Sequence, residues 1–376
     1  MSGATRLEGM VLTPRGFLQG SLVHADGRVL AVTGQPVTEA EARASALPLV
    51  LPGFVDLHVH GGGGQDVMQG GNAIDTIAQL HARHGTTALL ATTMTATHDE
   101  LRVAMGALAP ACAHRPRQGA FVLGVHLEGP FINPGKLGAQ PPLTRAASLL
   151  ETELLNTFAP IRLITLAPEL PGVLELIPLL RQAGYRIHIG HTAGSYDNGV
   201  AALRQGACGF THLFNAMSGL HHREPGMVGA ALAEADAAEL IPDLLHVHPG
   251  AIRVALRCIP RLYCVTDSTA AAGMPDGDYL LGRHRVAKCL GGVRLPDGTL
   301  AGSALTMDQA LRNLVSLGLG LIDASRRVST FAADHIGLAD HGRLQTGAWA
   351  NLVVLDPSLR LQRVIIEGEE IEITHA

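Results

Sequence analysis

Aromatic and charged side chains are scarce in this chain of 376 residues. Phe, Tyr and Trp together make up only 3% of it, and Asp, Glu, Lys and Arg 16%. The shortage of aromatics removes the stacking surfaces that single-stranded nucleic acids need. A net charge of −5 likewise argues against the clustered positive charge that binds a phosphate backbone. We therefore expect no nucleic-acid partner.

Cysteines are few, and long apolar runs are missing. The five cysteines are odd in number and include no C-x-x-C pair, so the sequence predicts neither a disulfide framework nor a thiolate zinc site. No apolar run reaches the ~18 residues that span a bilayer, and the N-terminus lacks the apolar stretch of a signal peptide. These features favour a cytoplasmic protein without a membrane partner.

Histidine is abundant by contrast. The 19 histidines outnumber the 8 Phe, 4 Tyr and 1 Trp, which weakly favours proton or metal chemistry. Hydrophobic residues make up 47%, enough for a large core.

Apolar runs alternate with amphipathic stretches through the middle of the chain, which predicts a (β/α)8 TIM barrel over residues 51–340. The eight runs are Leu51–Val55, Thr87–Ala91, Phe121–Val125, Ile161–Leu166, Arg186–Ile189, Gly209–Leu213, Glu239–Leu245 and Arg261–Val265. Residues 1–50 and 341–376 contain short β-like runs, and we expect them to form one small β-sandwich module built from both termini. A helix over 303–317, capped by Ser303, should cover the barrel.

Polar side chains close many of these runs. His58 and His60 follow the first run, His126 and Glu128 the third, His191 the fifth and His212 the sixth; His246 lies near the end of the seventh, and Asp267 follows the eighth. Active sites of such barrels lie at the carboxyl ends of the strands, where these residues would meet. A single His-x-His pair is equally compatible with ordinary hydrogen-bonded histidines. The additional histidines and carboxylates at the later strand ends favour a metal site.

Nitrogen and carboxylate donors without thiolate suit Zn²⁺, Fe²⁺, Mn²⁺ or Co²⁺. A bound divalent cation lowers the pKa of water to about 7, and Asp267 is placed to accept a proton and return it. The pattern therefore predicts metal-assisted hydrolysis. Asp56 is either a support for a ligand or a turn former, and we expect His81 and His341 at the surface.

Longer motifs carry a closer resemblance. They are HVHGGGGQDVM (58–68), HLEGPFINP (126–134), GHTAGSYD (190–197), THLFNAM (211–217), HHREPGMVG (221–229), VTDSTAAAGMPDG (265–277), LAGSALTMDQALRNLV (300–315) and GRLQTGAWANLVVLD (342–356). These motifs resemble those of the N-acetylglucosamine-6-phosphate deacetylases, a family within the amidohydrolase superfamily. The resemblance implies hydrolysis of N-acetyl-D-glucosamine 6-phosphate to D-glucosamine 6-phosphate and acetate, in amino-sugar catabolism or cell-wall sugar recycling.

The resemblance also implies residue roles. Glu128, His191 and His212 match the main metal ligands, His58 and His60 the pair that holds a second ion where one is present, and Asp267 the general base and acid. Contacts to the substrate phosphate are implied for Asn215, Ala216, Arg223 and His246. His246 would be contributed by the neighbouring subunit of a homodimer.

Three positions depart from the family pattern, one of them being Ser268 after Asp267, where alanine is usual. Gln140 stands where many members have a histidine that polarises the substrate carbonyl, and Leu244 stands where glycine is usual. Two alternative functions remain. One is deacetylation of the galactosamine epimer of the substrate, and the other is that of a catalytically silent sugar-phosphate sensor. The sequence does not distinguish one bound ion from two.

Overall fold

The computed structural model describes residues 3–373. The strands of the first half are β1 (Thr5–Thr13), β2 (Gly16–Ala25), β3 (Arg28–Val37), β4 (Leu49–Pro52), β5 (Phe54–Val59), β6 (Gly61–Gly62), β7 (Gln65–Asp66), β8 (Thr86–Thr93), β9 (Phe121–Glu128), β10 (Ile161–Leu166) and β11 (Arg186–Ile189). Those of the second half are β12 (Gly209–Phe210), β13 (Ala237–Leu240), β14 (Arg261–Cys264), β15 (Gly277–Leu281), β16 (His284–Cys289), β17 (Gly292–Arg294), β18 (Leu300–Ser303), β19 (Leu352–Leu355), β20 (Leu361–Ile366) and β21 (Glu369–Ile371).

The helices are α1 (Glu39–Ala44), α2 (Ala73–Arg83), α3 (His98–Ala113), α4 (Leu149–Asn156), α5 (Val173–Gln182), α6 (Tyr196–Gln205), α7 (Gly226–Glu234), α8 (Pro249–Cys258), α9 (Met307–Ser316), α10 (Leu321–Arg327) and α11 (Thr330–His335), with a 3-10 turn at Val67–Gln69. Within residues 3–373, no helix combines the length and apolar character needed to cross a membrane. Residues 1–2 and 374–376, at the two ends of the predicted terminal module, lie outside the described part.

The parallel strands in the middle of the chain close into a barrel. Six of them are hydrogen-bonded in the order β12-β11-β10-β9-β8-β5, and β13 pairs with β14. The Leu213 N–H donates to the carbonyl of Glu239 at 2.9 Å, which connects the end of β12 to β13. The Asp267 N–H donates to the carbonyl of His58 at 2.9 Å and connects the segment after β14 to β5. The predicted (β/α)8 barrel is confirmed.

Both chain ends enter one seven-stranded sheet, in the order β21-β20-β19-β4-β1-β2-β3. Its central strands β4 and β19 are apolar and buried on both faces. In β19, Leu352 and Val354 pack into a core inside this module, whereas Val353 and Leu355 pack into a core shared with the barrel. Alternating side chains of a strand point to opposite faces, so each face has its own core. The expected module built from both termini is confirmed; its boundaries at 50 and 340 stay predictions.

The first predicted run, Leu51–Val55, was assigned to the barrel as a whole, but only Phe54 and Val55 of its strand residues belong there. Leu51 belongs to β4 of the terminal sheet, and the first barrel strand begins at Phe54. Gly53 separates the two strands, and a Cβ atom there would lie 2.2 Å from Cγ2 of Thr87. Only glycine allows the chain to pass between the two sheets at this point.

The segment between β14 and α9 contains an antiparallel sheet that the sequence pattern did not reveal. Its order is β15-β16-β17-β18. Ser303, expected to cap the following helix, instead ends β18, and α9 begins at Met307 after Thr306. The strands of this sheet are short and largely exposed, so they lack the continuous apolar runs of the barrel strands.

His81, like His341, was wrongly expected at the surface. It lies in α2 on the face that also carries Ile74, Ile77 and Ala78, a spacing of three and four residues that faces the core. The His81 side chain is fully buried, with Nε2 3.0 Å from the carbonyl oxygen of Gly61. Burial lowers its pKa to about 4.

We expect this histidine to make folding sensitive to acid. Below pH 6.5 the unfolded chain binds a proton at this position, whereas the folded chain binds it only near pH 4. The stabilisation is therefore complete above pH 6.5 and is lost as the pH falls through 4. Between pH 7 and pH 5 the free energy of unfolding should fall by about 2 kcal/mol on account of His81.

Urea unfolding of the wild type and of His81→Gln at both pH values measures this contribution. Glutamine can still donate to Gly61 but does not titrate, so its stability should depend less on pH by about that amount. His114→Gln, at an exposed histidine, serves as the control. Equal pH dependence of the wild type and His81→Gln would contradict the assignment.

Candidate active site

The carboxyl ends of the barrel strands bring six predicted side chains together. His58 lies in β5 and His60 follows it, Glu128 ends β9, and His191, His212 and Asp267 follow β11, β12 and β14. All six side chains are buried. Burial of so many ionisable groups at one place is costly unless they satisfy one another or a ligand.

Glu128, His191 and His212 form one half of the cluster. Oε1 of Glu128 lies 3.1 Å from Nε2 of His191 and 3.0 Å from Nε2 of His212. The two Nε2 atoms are 3.1 Å apart. The three donor atoms face one another.

His58 and His60 form the other half with Asp267. Their Nε2 atoms are 3.2 Å apart. Oδ1 of Asp267 lies 3.5 Å from Nε2 of His58 and 3.4 Å from Nε2 of His60. The second carboxylate oxygen of Glu128, Oε2, lies 3.1 Å from Nε2 of His60. Glu128 therefore stands between the two histidine pairs and presents one oxygen to each.

Backbone carbonyls select the tautomers of two of these histidines. Nδ1 of His60 lies 3.1 Å from the carbonyl oxygen of Thr92, and Nδ1 of His191 lies 2.7 Å from that of Lys136. A carbonyl oxygen only accepts hydrogen bonds, so each Nδ1 carries the hydrogen and each Nε2 presents a lone pair when the ring is neutral. This outer support is typical of metal-ligating histidines.

The donor set fits a divalent cation. Neutral Nε2 atoms about 3 Å apart repel one another unless a proton or a metal ion lies between them. In the protein without metal, protons have this role. Burial acts to lower the pKa of His58 and His60, but the carboxylates of Glu128 and Asp267 outweigh it, so the pKa of His58 lies well above its usual value and that of His60 is about 9. Imidazole and carboxylate donors in this arrangement are typical ligands of Zn²⁺ and Fe²⁺.

The backbone at three strand ends adopts a left-handed conformation. His191 has φ +47°, His212 +30° and Asp267 +49°. Such values are uncommon for residues other than glycine and cost of order 1 kcal/mol each. They are concentrated here at residues of the site, as strained backbone often is.

A cavity of about 360 Å³ opens in front of the cluster. Gln140, Asn215, Ala216 and His246 line it, and the substrate contacts that the resemblance implied for them stay predictions. The inserted sheet, which the sequence did not reveal, contributes Leu281 and Leu300, among others, to its wall.

Gln140 has both ends of its side-chain amide engaged. Its Nε2 donates to Oε2 of Glu128 at 2.7 Å, and its Oε1 accepts from the Thr95 N–H at 2.6 Å. The amide nitrogen has a second hydrogen, which leaves one donor available for a ligand in the cavity.

The residues expected to contact phosphate differ in position. The side chain of Arg223 is exposed and contacts Nε2 of His222, and Arg223 is not among the residues that line the cavity. The backbone N–H of Asn215, another residue for which the resemblance implied a phosphate contact, donates to the carbonyl of His212 at 3.0 Å.

His246 lines the cavity of its own chain. Its Nδ1 lies 2.6 Å from Oδ2 of Asp243. Leu244 nearby has φ +66°, the conformation that explains a preference for glycine there. A contribution of His246 to a partner's site, and the homodimer itself, stay predictions that a single chain does not test.

Two residues of the site were not predicted from the sequence. Glu239 is fully buried in β13, and its Oε2 lies 3.0 Å from Nδ1 of His58, so it orients that ring from behind. The sequence signal that could have identified Glu239 is its charge within an otherwise apolar strand. Lys136 lines the cavity and donates to the carbonyl of Met217 at 3.1 Å.

Asp56 has a structural role. Its Oδ2 accepts from Oγ1 of Thr266 at 2.6 Å, and its Oδ1 accepts from the Thr266 N–H at 3.2 Å. These bonds join β5 to the segment after β14, where the barrel closes. Burial raises the pKa of Asp56 to about 7, against the opposing effect of these hydrogen bonds.

Known proteins resemble this chain over nearly its full length. N-acetylgalactosamine-6-phosphate deacetylase of Escherichia coli O157:H7 is 40% identical, over 96% of this chain and 97% of that protein. N-acetylglucosamine-6-phosphate deacetylase of Vibrio furnissii is 35% identical, over 95% of this chain and 92% of that protein.

A solved structure is similarly close. It is that of a mutant N-acetyl-D-glucosamine-6-phosphate deacetylase from Mycobacterium smegmatis in complex with N-acetyl-D-glucosamine-6-phosphate. It is 33% identical, has a TM-score of 0.90 and covers 99% of this chain and 100% of that one. The sequence profile of the amidohydrolase family matches residues 49–371, which include the whole barrel and every site residue described above. This chain belongs to the amidohydrolase family.

Proposed function

We propose that this protein hydrolyses the acetamide of N-acetyl-D-glucosamine 6-phosphate to D-glucosamine 6-phosphate and acetate. The observation that carries the proposal is the meeting of Glu128, His191, His212 and Asp267 in one cavity. Deacetylases of this substrate are among the relatives that match the chain over almost its whole length. A catalytically silent sensor would have no need for this set of buried ionisable groups.

Glu128, His191 and His212 would hold one divalent cation, and His58 and His60 would hold a second one, with the other carboxylate oxygen of Glu128 facing this pair. When bound, such an ion supplies Lewis acidity and lowers the pKa of a water molecule to about 7. We propose Zn²⁺ or Fe²⁺, with Mn²⁺ and Co²⁺ as further possibilities, because nitrogen and carboxylate donors suit all four ions.

Asp267 acts as general base and then as general acid. Burial opposes its ionisation, but the charge on His58 and the hydrogen bond from His60 outweigh this effect, and the pKa of Asp267 lies below its usual value. Its carboxylate is therefore ionised at neutral pH and can accept the proton of the attacking water. It then delivers this proton to the amine nitrogen as the C–N bond breaks.

The remaining polar groups of the cavity bind and orient the substrate. The free hydrogen of the Gln140 amide points to a role in polarising the acetamide carbonyl. Lys136 is the lysine of the cavity wall, and its ammonium suits the 6-phosphate together with Ala216 and His246. Arg223 does not line the cavity of its own chain. In this scheme it contacts the phosphate only after its exposed loop moves, or in the cavity of a second subunit.

Deacetylation of N-acetyl-D-galactosamine 6-phosphate is the second candidate. It is favoured by the relative of that name, which is 40% identical to this chain. The two substrates differ in the configuration of one hydroxyl group, and their amide chemistry is the same.

Acetate release from the two sugar phosphates separates these candidates. The enzyme, supplied with Zn²⁺ or Fe²⁺, should release acetate from the glucosamine derivative with the higher kcat/KM. A higher value for the galactosamine derivative would favour the second candidate, and no acetate from either would contradict both.

The proposed binding of the 6-phosphate by Lys136 is tested separately. We expect the wild type to prefer N-acetylglucosamine 6-phosphate over N-acetylglucosamine, and Lys136→Met to raise KM for the phosphorylated sugar by about tenfold or more with little change in kcat. Arg223→Met is the matched variant outside the cavity. A large effect of Arg223→Met with none for Lys136→Met would assign the phosphate to Arg223 instead.

A further inference from the structure

A second cluster of metal-competent side chains lies apart from the cavity. It consists of His188 in β11, Cys208 just before β12, and His335 at the end of α11. Their candidate ligand atoms all lie within 4.8 Å of one another. None of the three residues lines the cavity of the candidate active site.

The distances within this cluster approach those of a metal site. Nε2 of His188 lies 2.7 Å from Nε2 of His335, and Sγ of Cys208 lies 3.8 Å from the latter. Zinc–nitrogen and zinc–sulfur bonds of about 2.05 and 2.3 Å in tetrahedral geometry imply separations of about 3.3 Å between nitrogens and about 3.6 Å between nitrogen and sulfur. Shifts of about half an ångström would therefore convert the cluster into a coordination site.

The carboxylate of Glu239 lies close to the Nδ1 side of the His188 ring. Oε1 of Glu239 lies 3.4 Å from Nδ1 of His188, while its Oε2 faces Nδ1 of His58. The two atoms do not form a hydrogen bond in this geometry, and Nδ1 of His188 is buried without a partner. A hydrogen on Nδ1 would still be attracted to the nearby carboxylate, and it would leave Nε2 of His188 with a lone pair toward His335 and Cys208.

Cys208 supplies the sulfur donor of the cluster. A bound divalent ion would displace the proton of a coordinating thiol. Thiolate, not thiol, is the form that binds metal ions. Cys208 and His335 are only partly buried, so solvent can supply a fourth ligand.

We propose that Cys208, His188 and His335 bind a zinc-class divalent ion at a structural site separate from the catalytic centre. One thiolate and two imidazoles are a donor set that Zn²⁺ and Co²⁺ accept readily. The ion would connect β11, the segment before β12 and the end of α11, so it holds that helix against the barrel. The shared Glu239 places the two metal centres on opposite sides of one carboxylate.

The competing interpretation is a metal-free, hydrogen-bonded cluster. The Cys208 thiol is within reach of the carbonyl oxygen of Ile187, at 3.4 Å, and the two histidines can share one hydrogen. Substitution with Co²⁺ distinguishes the two, because a sulfur-to-cobalt charge-transfer band requires a thiolate ligand. The candidate catalytic centre has only nitrogen and oxygen donors, so the band reports this site alone.

The experiment uses the full-length protein, stripped of metal with a chelator and reloaded with Co²⁺. The wild type should show the near-ultraviolet charge-transfer band, Cys208→Ser should lose it together with about one metal ion per chain, and His335→Gln should weaken it. Cys258→Ser, at an exposed cysteine, should leave both readouts unchanged. Absence of the band from the wild type would overturn the proposal whether or not the variants fold, and so would an unchanged band in Cys208→Ser.

Discussion

Asp267→Asn should reduce acetate release by about 10²- to 10⁴-fold while the protein keeps its metal. Asparagine has nearly the same shape as aspartate but can neither accept the proton of the attacking water nor deliver it to the leaving amine. Asp267 is buried at the end of the barrel, with Oδ1 3.4 Å from Nε2 of His60, so no neighbouring exposed carboxylate can replace it.

The measurement pairs acetate release with metal content on the same preparation. Asp297→Asn removes an exposed carboxylate from the loop between β17 and β18 and should leave both values unchanged. An Asp267→Asn enzyme that keeps more than about a tenth of the wild-type rate would exclude this residue as the general base. Loss of metal along with activity would instead identify Asp267 as a ligand, in keeping with its distance to His58 and His60.

Metal content per chain should separate the two halves of the cluster. At the catalytic centre, we expect about two ions in the wild type and about one in the double variant His58→Asn/His60→Asn. Glu128→Ala should lose most of both, because Oε1 faces the His191–His212 pair and Oε2 faces His60. Removal of one shared ligand should therefore have a larger effect than removal of one histidine pair.

The double variant His191→Asn/His212→Asn is the reciprocal control. It should retain at most one ion and lose activity, because this pair completes the proposed main site with Glu128. All of these variants are made in the Cys208→Ser background, so that an ion at the proposed Cys208 site is not attributed to the catalytic centre. If His58→Asn/His60→Asn leaves the metal count unchanged, these histidines hold no second ion.

Much of the candidate site was predictable from residue order. Parallel barrel strands present their carboxyl ends at one face, so His58, Glu128, His191 and Asp267 could be expected to meet once eight apolar runs were recognised. The prediction did not depend on exact strand bounds. The first run is divided between two sheets, yet His58 still lies near the end of the first barrel strand and His60 follows it.

Other features depended on contacts that local pattern does not encode. Arg223 belongs to a motif that resembles one of the family but lies on an exposed loop outside the cavity. The inserted sheet between β14 and α9 supplies part of the cavity wall from strands too short and exposed to stand out. His81 is polar by type, yet helical spacing directs it into the core.

The sequence alone determined which donor atoms the protein has and at which strand ends they stand. The tertiary structure decided how they are aimed: which nitrogen of each imidazole faces the centre, and that the two oxygens of Glu128 face different histidine pairs. Carbonyls and carboxylates distant along the chain select these tautomers and rotamers, as Glu239 does for His58. For the same reason, the spacing of the cysteines predicted no thiolate metal site, whereas folding brings Cys208 beside two histidines from other elements.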